Sequence, residues 1–355
     1  MKPNGFESLA AGLACPLPID QDDIVQLAHG GGGRKTSQLV EGTFLPAFAS
    51  PALDALGDGA LVEIGGQRLA FSTDTFVVQP AFFPGGNIGS LAVHGTVNDL
   101  AMCGSEPVAL SVGFVLEEGF ALGDLRRIVA SMAAAAREAG VAIVTGDTKV
   151  VDRGKGDGIY INTSGIGRVR DGVNVGPNRA RPGDVVLVSG PVGDHGIAVM
   201  AARSGIELQT GLLSDSASVL PLVRALLDVA PATRTLRDPT RGGLATALCE
   251  IAGSAGVGIV LDERAIPVRP EVRAACELLG FDPLYVACEG RFLAIVAAED
   301  CDPILDALAA IPGGAGARRI GEVTESPAGR VLLRTGLGSH RRLERLSGEQ
   351  LPRIC

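Results

Sequence analysis

The sequence predicts an α+β protein built from two domains, and three observations lead to this prediction. The chain has 355 residues, a length that suggests two domains rather than one. Apolar residues make up 46% of it, which is enough for substantial cores. Strand-like and helix-like runs follow one another in both halves, and glycine-rich loops stand at the junctions. Asn, Gly, Pro and Arg cluster over residues 171–183, which predicts the linker between the domains.

The first half supplies strands and helices in turn. Short β-branched or apolar runs predict the strands, and apolar repeats of helical period predict the helices. Gly140 is a helix stop. The predicted elements are a strand over 68–72 that breaks at 73–75, a helix over 88–102 after a glycine loop at 84–87, a strand over 108–116, a helix over 122–139, a strand over 141–145, a loop over 146–149 and a strand over 159–169.

The second half continues the mixture of strands and helices. Its predicted elements are a strand over 184–189, a helix from about residue 194, a helix over 216–229, a loop over 238–243, a helix from residue 244, and strands near 257–261 and 292–297. From Gly336 onward the sequence is rich in arginine and poor in apolar runs. This composition predicts a tail that lies outside the second domain.

Charge and cysteine content exclude several classes of protein. The net charge is −9, which argues against nucleic acid as a main partner. The seven cysteines are odd in number and scattered, with no CxxC pair and no Cys/His metal spacing, as expected in a reducing compartment. The N terminus has no secretion signal, and no apolar run reaches the roughly 18 residues of a membrane span. The sequence therefore predicts a cytoplasmic protein that does not enter the membrane.

Four aspartates follow apolar stretches or lie beside glycine turns, namely Asp74, Asp99, Asp147 and Asp238. Aspartate is common in turns and caps, so local structure alone explains any single one of them. Together, beside two glycine loops, they favour a site for nucleotide phosphates and Mg²⁺, because Mg²⁺ prefers hard oxygen ligands.

The first glycine loop reads His-Gly-Gly-Gly-Gly-Arg-Lys-Thr over residues 29–36. Gly31, Gly32 and Gly33 would let backbone N–H groups approach phosphates, and Lys35 would add positive charge. The loop lacks the ending of a P-loop, and no strand leads into a dinucleotide-binding fingerprint. By itself it is a weak signal.

Other side chains have both a chemical and a plain structural interpretation. Lys149 follows Asp147 by two residues and could meet an anionic group or simply be solvated. Glu289 lies between an apolar run and a strand, where it could be a general base with a raised pKa or a charge at a helix end. We expect His94 to be a packed core histidine. His195 could be a cap or a ligand, and the sequence leaves this open.

The sequence ends in Leu-Pro-Arg-Ile-Cys over residues 351–355. Little around Cys355 could bury it, and chain ends are usually frayed unless they are docked. A thiol on a mobile arm could be loaded at one place and processed at another, although a stray exposed cysteine is the simpler explanation. The other six cysteines lie mostly on apolar segments, and we expect inert core thiols.

Short motifs spread over nearly the whole chain occur together in one known family. They are Asp-Thr-Phe-Val-Val over 74–78, Phe-Phe-Pro-Gly-Gly-Asn-Ile-Gly over 82–89, Asn-Asp-Leu over 98–100, Gly-Asp-Thr-Lys-Val-Val over 146–151, Asp-Pro-Thr-Arg-Gly-Gly-Leu over 238–244 and Pro-Arg-Ile-Cys over 352–355. With these motifs the sequence resembles the HypE family of hydrogenase maturation factors. The final motif and the run over 146–151 are the most specific.

The resemblance implies a fold similar to that of aminoimidazole ribonucleotide synthetase, known as the PurM-like fold, with mixed sheets and flanking helices. It also implies how the chain is divided. The expected parts are a flexible arm with the glycine loop over 1–35, an ATP-binding and dimerisation domain over 36–172, an α+β domain over 173–335 and a flexible tail over 336–355.

The resemblance also implies roles for individual residues. Magnesium and phosphate ligands would be Asp74, Asp99 and Asp238. The ATP site would further include Gly31, Gly32, Gly33, Lys35, Asp147 and Thr148. The catalytic residues would be Cys355 as the carrier, Glu289 as the base and Lys149 as a group that steadies the reacting oxygen. ATP and Mg²⁺ are thus the expected cofactors.

The implied reaction is the ATP-dependent dehydration of a carbamoyl group on Cys355 to a thiocyanate, which supplies the cyanide ligand of NiFe-hydrogenase. The implied partners are a second copy of the chain, the carbamoyltransferase HypF and the HypC–HypD iron scaffold. The tail would enter the cleft for the reaction and leave it for loading and unloading.

Two alternatives stand beside this hypothesis. One is another ATP-using enzyme of the same superfamily, of the selenophosphate synthetase or thiamine monophosphate kinase type. Selenophosphate synthetases carry a reactive Cys or selenocysteine in the glycine-rich segment, whereas Cys15 lies well upstream of it here. The other is a thiol carrier without enzymatic activity, which would need neither ATP hydrolysis nor Asp74 and Asp238.

Overall fold

Two large sheets with flanking helices organise the chain, as the α+β prediction requires. The structure is a computed structural model that describes residues 24–48, 50–204, 211–348, 351 and 353–355. In that part of the chain, no helix is both long and apolar enough to cross a membrane.

The described strands are β1 (Ala60–Ile64), β2 (Gln67–Phe76), β3 (Phe82–Phe83), β4 (Gly86–Asn87), β5 (Ser105–Glu117), β6 (Ala142–Val151), β7 (Ile159–Val169), β8 (Val185–Val188), β9 (Thr235–Arg237), β10 (Gly258–Asp262), β11 (Leu293–Val296), β12 (Arg318–Thr324), β13 (Arg330–Arg334) and β14 (His340–Leu343). The described helices are α1 (Arg34–Leu39), α2 (Leu45–Phe48), α3 (Ile88–Met102), α4 (Leu122–Ala139), α5 (Asp194–Ser204), α6 (Leu220–Val229), α7 (Gly243–Ala255), α8 (Pro270–Leu279) and α9 (Cys301–Ala309).

The first sheet has the strand order β1-β2-β7-β5-β6, with β5 and β6 parallel and the other pairs antiparallel. The second sheet has the order β14-β13-β10-β12-β8-β11-β9, in which β10 and β13 form the parallel pair. Both sheets are therefore mixed, and residues 170–184 connect them with no strand or helix. This connection coincides with the predicted linker.

Two strands of the first sheet are longer than the sequence predicted. Residues 73–75 do not break the strand, because Asp74 pairs with Thr163 of β7 and β2 continues to Phe76. Residues 146–149 are not a loop either, since Asp147 pairs with Gly113 of β5 and β6 continues to Val151. In both places, pairing with a distant strand overrides the turn preference of aspartate and glycine.

The chain between Gly336 and Leu343 is also not a tail, contrary to the sequence prediction. Residues His340–Leu343 form β14, which pairs with β13 at the edge of the second sheet. The arginines of this run lie on an exposed edge strand, where long charged side chains remain in water. Any tail therefore begins after Leu343.

Helix α3 is the central element of the first domain. The Asn87 side chain caps it by accepting hydrogen bonds from the backbone N–H groups of Gly89 and Ser90 at 2.9 and 3.3 Å. Nearly all of its residues are buried, because it packs against the first sheet, against α4 and against α6 of the second domain. The last turn of this helix carries Asn98 and Asp99 into the space between the domains.

Asn98 is hydrogen-bonded to two segments of the second domain. Its Nδ2 donates to the carbonyls of Ala217 and Glu289 at 3.0 and 3.2 Å, and its Oδ1 accepts from the N–H of Val219 at 2.9 Å. The side chain is buried, and these bonds satisfy its amide within the protein. They fix the segment that carries Glu289 against α3.

The segment around Glu289 is also packed tightly from the other side. A Cβ added at Gly290 would lie 1.8 Å from the backbone oxygen of Asp215. We expect Gly290→Ala to lower the free energy of unfolding by at least about 2 kcal/mol, because backbone must move to admit the methyl group. Gly123→Ala is the matched control, since a Cβ there meets nothing within 4 Å. Chemical denaturation of both variants tests this, and equal stability would contradict the packing described.

Candidate active site

Three carboxylates converge between the domains. Asp58 precedes β1, Asp99 lies in the last turn of α3, and Asp238 follows β9. One oxygen from each lies within 4.8 Å of the others. Ser72 donates a hydrogen bond to Asp99 at 2.6 Å, and Arg237 contacts Asp58 at 2.9 Å. We name Asp58, Asp99 and Asp238 the acidic cluster.

Burial raises the pKa of every carboxyl group in the acidic cluster. Burial is the largest cause for each, and the pKa of Asp58 rises to about 6. The neighbouring carboxylates raise the pKa of Asp99 and Asp238 further, whereas Arg237 lowers those of Asp58 and Asp238. Close, buried carboxylates of this kind suit a hard divalent cation such as Mg²⁺, which replaces their repulsion with attraction.

The acidic cluster differs by one residue from the set that the sequence analysis selected. Asp58 was missed, although its position between Gly57 and Gly59 resembles the glycine-flanked loops that were noticed. Asp74 was selected, but it is not one of the three converging carboxylates. It lies close enough on β2 to raise the pKa of both Asp99 and Asp238. A ligand role for Asp74 stays a prediction.

Cys355 lies inside the cleft, although the sequence analysis expected little around it that could bury it. It is buried, and its backbone oxygen accepts a hydrogen bond from the N–H of Val77 at 2.9 Å. Its neighbour Ile354 packs into the core that both domains share. Cys355 faces a cavity of about 130 Å³ that Thr75 and Arg241 also line. The thiol is thus held at the end of β2, close to the acidic cluster.

Arg241 and Glu289, which carry opposite charges, are the charged groups with the largest effect on the pKa of the Cys355 thiol. Burial raises the pKa of the Cys355 thiol strongly, and Arg241 lowers it while Glu289 raises it further. Glu289 is buried, and no described residue binds its Oε1. Burial and the charges of Asp238 and Asp74 hold its pKa well above the ordinary range. Arg241 was not selected from the sequence, although it stands within the motif over 238–244.

The glycine loop lies over the thiol, but its residues differ in what they contact. Gly31 lines the cavity of Cys355. Gly32 lines a larger cavity of about 450 Å³ that Asp238 and Arg241 share. Gly33 packs against the chain near its end, since a Cβ there would lie 2.3 Å from the oxygen of Leu346. The side chain of Lys35 donates to Gln26 at 3.1 Å. Phosphate contacts by these residues stay a prediction.

Asp147, Thr148 and Lys149 lie apart from the acidic cluster within the protomer. In register, Asp74 faces Thr163, Thr163 faces Val112, and Val112 faces Gly146. The three strand spacings between β2 and β6 amount to roughly 14 Å. Lys149 and Asp147 form an exposed ion pair of 2.7 Å on β6. The structure therefore does not bring Lys149 next to Cys355 and Glu289 of the same chain.

The remaining cysteines and His94 agree with their plain structural interpretation. Cys103, Cys276, Cys288 and Cys301 are buried and Cys249 is half-buried, and burial raises the pKa of each thiol. His94 is buried as well, which lowers its pKa to about 4. Cys15 lies outside the described residues.

Both domains match known family models. The model described as "AIR synthase related protein, N-terminal domain" matches residues 56–169, and its C-terminal counterpart matches residues 181–334. Together with two mixed sheets and a buried acidic cleft between them, these matches define the class. The chain is a two-domain protein of the AIR synthase-related class, which confirms the predicted PurM-like fold.

Similar proteins narrow the assignment from this class to one family. Carbamoyl dehydratase HypE of Cupriavidus necator strain H16 is 55% identical over 345 residues, which cover 97% of this chain and 98% of that protein. A crystal structure of HypE in complex with ATP is 49% identical, with a TM-score of 0.79 over 94% of this chain and 100% of that one. A chain from the crystal structure of a HypE–HypF complex is 45% identical, with a TM-score of 0.83 over 87% and 99%. The chain belongs to the HypE family.

The acidic cluster predicts how the stability of the metal-free protein depends on pH. Its carboxyl groups have a higher pKa in the folded chain than in the unfolded chain, so the folded state binds more protons. Their contribution to stability is complete below about pH 4 and is lost as the pH rises through the folded pKa values, which for Asp58 is about 6. We therefore expect the melting temperature in EDTA to fall from pH 5 to pH 8.

Asp99→Asn should reduce this fall, and Mg²⁺ should raise the melting temperature of the unmodified protein at pH 8 but not that of the variant. Asp262→Asn is the control, because Asp262 is outside the acidic cluster and its hydrogen bond with Arg334 lowers its pKa. Identical pH profiles for the unmodified protein and Asp99→Asn would rule out this electrostatic account.

Proposed function

We propose that this chain catalyses the ATP-dependent dehydration of a carbamoyl group carried on the Cys355 thiol. The product is a thiocyanate that supplies the cyanide ligand of NiFe-hydrogenase. One observation carries the proposal: Cys355 is seated in the cleft beside Arg241 and within electrostatic reach of Glu289 and Asp238. A carrier thiol in the same cleft as candidate phosphate and metal ligands is what this reaction needs. Membership of the HypE family supports it.

The chemistry divides into two balanced steps. The carbamoyl oxygen attacks the γ-phosphorus of ATP, ADP leaves, and one N–H proton is lost, which gives an O-phosphorylated S–C(=NH)–O group. The second N–H proton is then removed, the C–O bond breaks, and phosphate departs as the C≡N triple bond forms. ATP is required because phosphate leaves readily from carbon, whereas the oxygen of an amide does not. The net change on the thiol is the loss of one water.

Glu289 is our candidate for the base that removes these protons. Its carboxylate is buried, and among the described residues Oε1 has no hydrogen-bond partner, so one oxygen is available. Burial and the charges of Asp238 and Asp74 hold the pKa of Glu289 well above its ordinary range, and the charge of Arg241 opposes this rise and so favours the ionised form that a base needs. Arg241 also faces the thiol cavity, where it can bind the carbamoyl oxygen or the phosphate that replaces it.

The acidic cluster is our candidate for the Mg²⁺ site. When bound, Mg²⁺ supplies positive charge that offsets the phosphate charge of ATP. The neighbouring cavity of about 450 Å³ is lined by Gly32, Asp238 and Arg241, and its volume is typical of a ligand pocket. Because Arg241 lines both this cavity and that of Cys355, we infer that the ATP phosphates lie at Arg241.

Loading and unloading require two further partners. The solved HypE–HypF complex contains a chain that is 45% identical to this one, which supports HypF as the carbamoyltransferase that loads Cys355. A thiocyanate must pass its cyanide to iron, and we propose the HypC–HypD complex as the acceptor. Both steps need Cys355 outside the cavity where it is buried here.

We also propose that the protein works in the reducing cytoplasm. The six described cysteines are all free, as expected in that compartment.

We further propose that the protein is a homodimer joined through the first sheet. Val62 and Ile64 share a face of β1, Phe71 lies opposite Ala60 on that face, and Ile166 lies opposite Phe71. These four apolar side chains are exposed, and such a contiguous patch is typical of an interface. In its own protomer Lys149 is three strands from Asp74, so a role at the thiol requires that it act on the second copy.

Mass spectrometry of the intact protein tests the reaction and the roles proposed for Cys355 and Glu289. After loading by the carbamoyltransferase, we expect Mg·ATP to remove the mass of one water from the protein. Cys355→Ala should never take the label, whereas Cys249→Ala should behave normally. Glu289→Gln should take the label but lose water roughly 10²–10⁴ times more slowly, because it lacks the base. A label on another residue, or an unchanged mass with ATP, would remove the dehydratase proposal.

A mixed dimer tests the position of Lys149. We expect the Lys149→Ala homodimer to load normally and to dehydrate slowly. When Lys149→Ala and Cys355→Ala chains are coexpressed, the loaded Lys149→Ala chain should lose water at a restored rate, because the other subunit supplies the lysine. Lys155→Ala, which removes another exposed lysine, is the control. Failure of the mixed dimer to restore the rate would show that Lys149 does not act across the interface.

A further inference from the structure

We infer that His195 is a positioning residue for the dehydration: it binds the carbonyl of Ile354 and thereby seats Cys355 in the cleft. The inference rests on the proposed function, which makes Cys355 the carrier. His195 lies at the start of α5 in the second domain. It is not part of the acidic cluster, and the sequence left its role open.

The hydrogen bonds of His195 define its protonation. Its Nε2 lies 2.7 Å from the oxygen of Ile354, and its Nδ1 lies 2.8 Å from Oγ of Ser214. A carbonyl oxygen can only accept, so Nε2 carries the proton and Nδ1 accepts from the hydroxyl of Ser214. The Ser214 oxygen in turn accepts from the N–H of Ser216 at 3.0 Å. The ring is thus a neutral donor aimed at the peptide bond that precedes Cys355.

The ring of His195 is held in place by its surroundings. It is fully buried, and Phe83 contacts it edge-on with the ring centres 5.4 Å apart. Burial lowers the pKa of His195 to about 4, so it stays neutral near neutral pH. A buried ring with both nitrogens bonded has one orientation, and this gives the Ile354 carbonyl a fixed partner.

The other hydrogen bonds that the tail backbone accepts come from the first domain and from a partly exposed side chain of the second domain. The N–H groups of Val77 and Gln79 donate to the carbonyls of Cys355 and Arg353 at 2.9 and 3.3 Å. Arg203 donates to the Arg353 carbonyl at 2.6 Å from a partly exposed position. Among the described residues, His195 is therefore the one buried side chain through which the second domain is hydrogen-bonded to the tail backbone. Its contact lies one residue from the thiol.

Because of this placement, the hydrogen bond from His195 to the Ile354 carbonyl should favour dehydration and oppose loading. The Ile354 carbonyl and the Cys355 nitrogen share one planar peptide unit, so fixing the first restricts the second. An error of about 1 Å in the position of a reacting group can cost about 10²-fold in rate. Loading, in contrast, needs the tail outside and the same bond broken. Loss of the donor should therefore slow dehydration without slowing loading.

An ordinary core histidine would also be buried with both ring nitrogens hydrogen-bonded. That alternative predicts that a substitution lowers stability and slows loading and dehydration together. The two interpretations differ in the accessibility of Cys355, which can be measured without any partner or nucleotide.

The test compares His195→Leu, which fills the space without a donor, with His195→Gln, whose side-chain amide can place an N–H near the position of Nε2. In the unloaded protein, maleimide labelling of Cys355, read from the mass of the C-terminal peptide, should be about tenfold faster in His195→Leu because a buried carbonyl is left unpaired. It should be close to the unmodified rate in His195→Gln. Thermal unfolding of each variant shows whether the fold is intact.

The second measurement uses protein loaded with the carbamoyl group and saturating Mg·ATP. His195→Leu should load at an unreduced rate but dehydrate roughly 10²-fold more slowly in a single turnover. His195→Gln should load and dehydrate at close to the unmodified rates. Labelling of Cys355 at the unmodified rate in folded His195→Leu overturns the inference. Loading and dehydration that fall together also overturn it. If labelling is faster in His195→Leu but the unmodified protein does not dehydrate its carbamoyl group, the role of His195 in holding the tail is supported. The proposed function is then overturned instead.

Discussion

The buried amide of Asn98 is the contact on which the rest of the site depends. Its three hydrogen bonds to Ala217, Val219 and Glu289 join α3 of the first domain to the second domain. Asp99 is the next residue on the helix, so the acidic cluster and Glu289 are positioned by the same contact. If the two domains moved relative to each other, Glu289 would move with respect to Asp99.

That contact brings together groups that repel one another. Asp238 and Glu289 are buried and Asp99 is half-buried, and loss of water around their carboxyl groups, together with neighbouring carboxylates, raises the pKa of each. Arg237 and Arg241 supply part of the opposing charge. The tight packing at Gly290 and the bonds of Asn98 hold this arrangement against its own repulsion, as is common at sites that bind cations. The repulsion between these groups lowers stability, and binding of the proposed Mg²⁺ would offset it.

The sequence indicated the local parts of this structure well and the distant contacts poorly. The helix over 88–102 and the aspartates Asp99 and Asp238 could be selected because caps and loop signals act within a few residues. Asp147 was placed in a loop, since its pairing with Gly113 lies far away along the chain. The burial of Cys355 could not be foreseen, because it depends on Val77 and on the second domain.

The raised pKa of the seated Cys355 thiol has a consequence for the resting enzyme. A thiol must be ionised to react with oxidants, with disulfides or with another protein. In the cleft, burial raises the pKa of the thiol strongly, so the protonated and less reactive form is favoured there. Outside, in water, the thiol would regain ordinary acidity and could react with the proposed loading partner. In the proposed cycle, withdrawal into the cleft therefore protects the carrier thiol from oxidation.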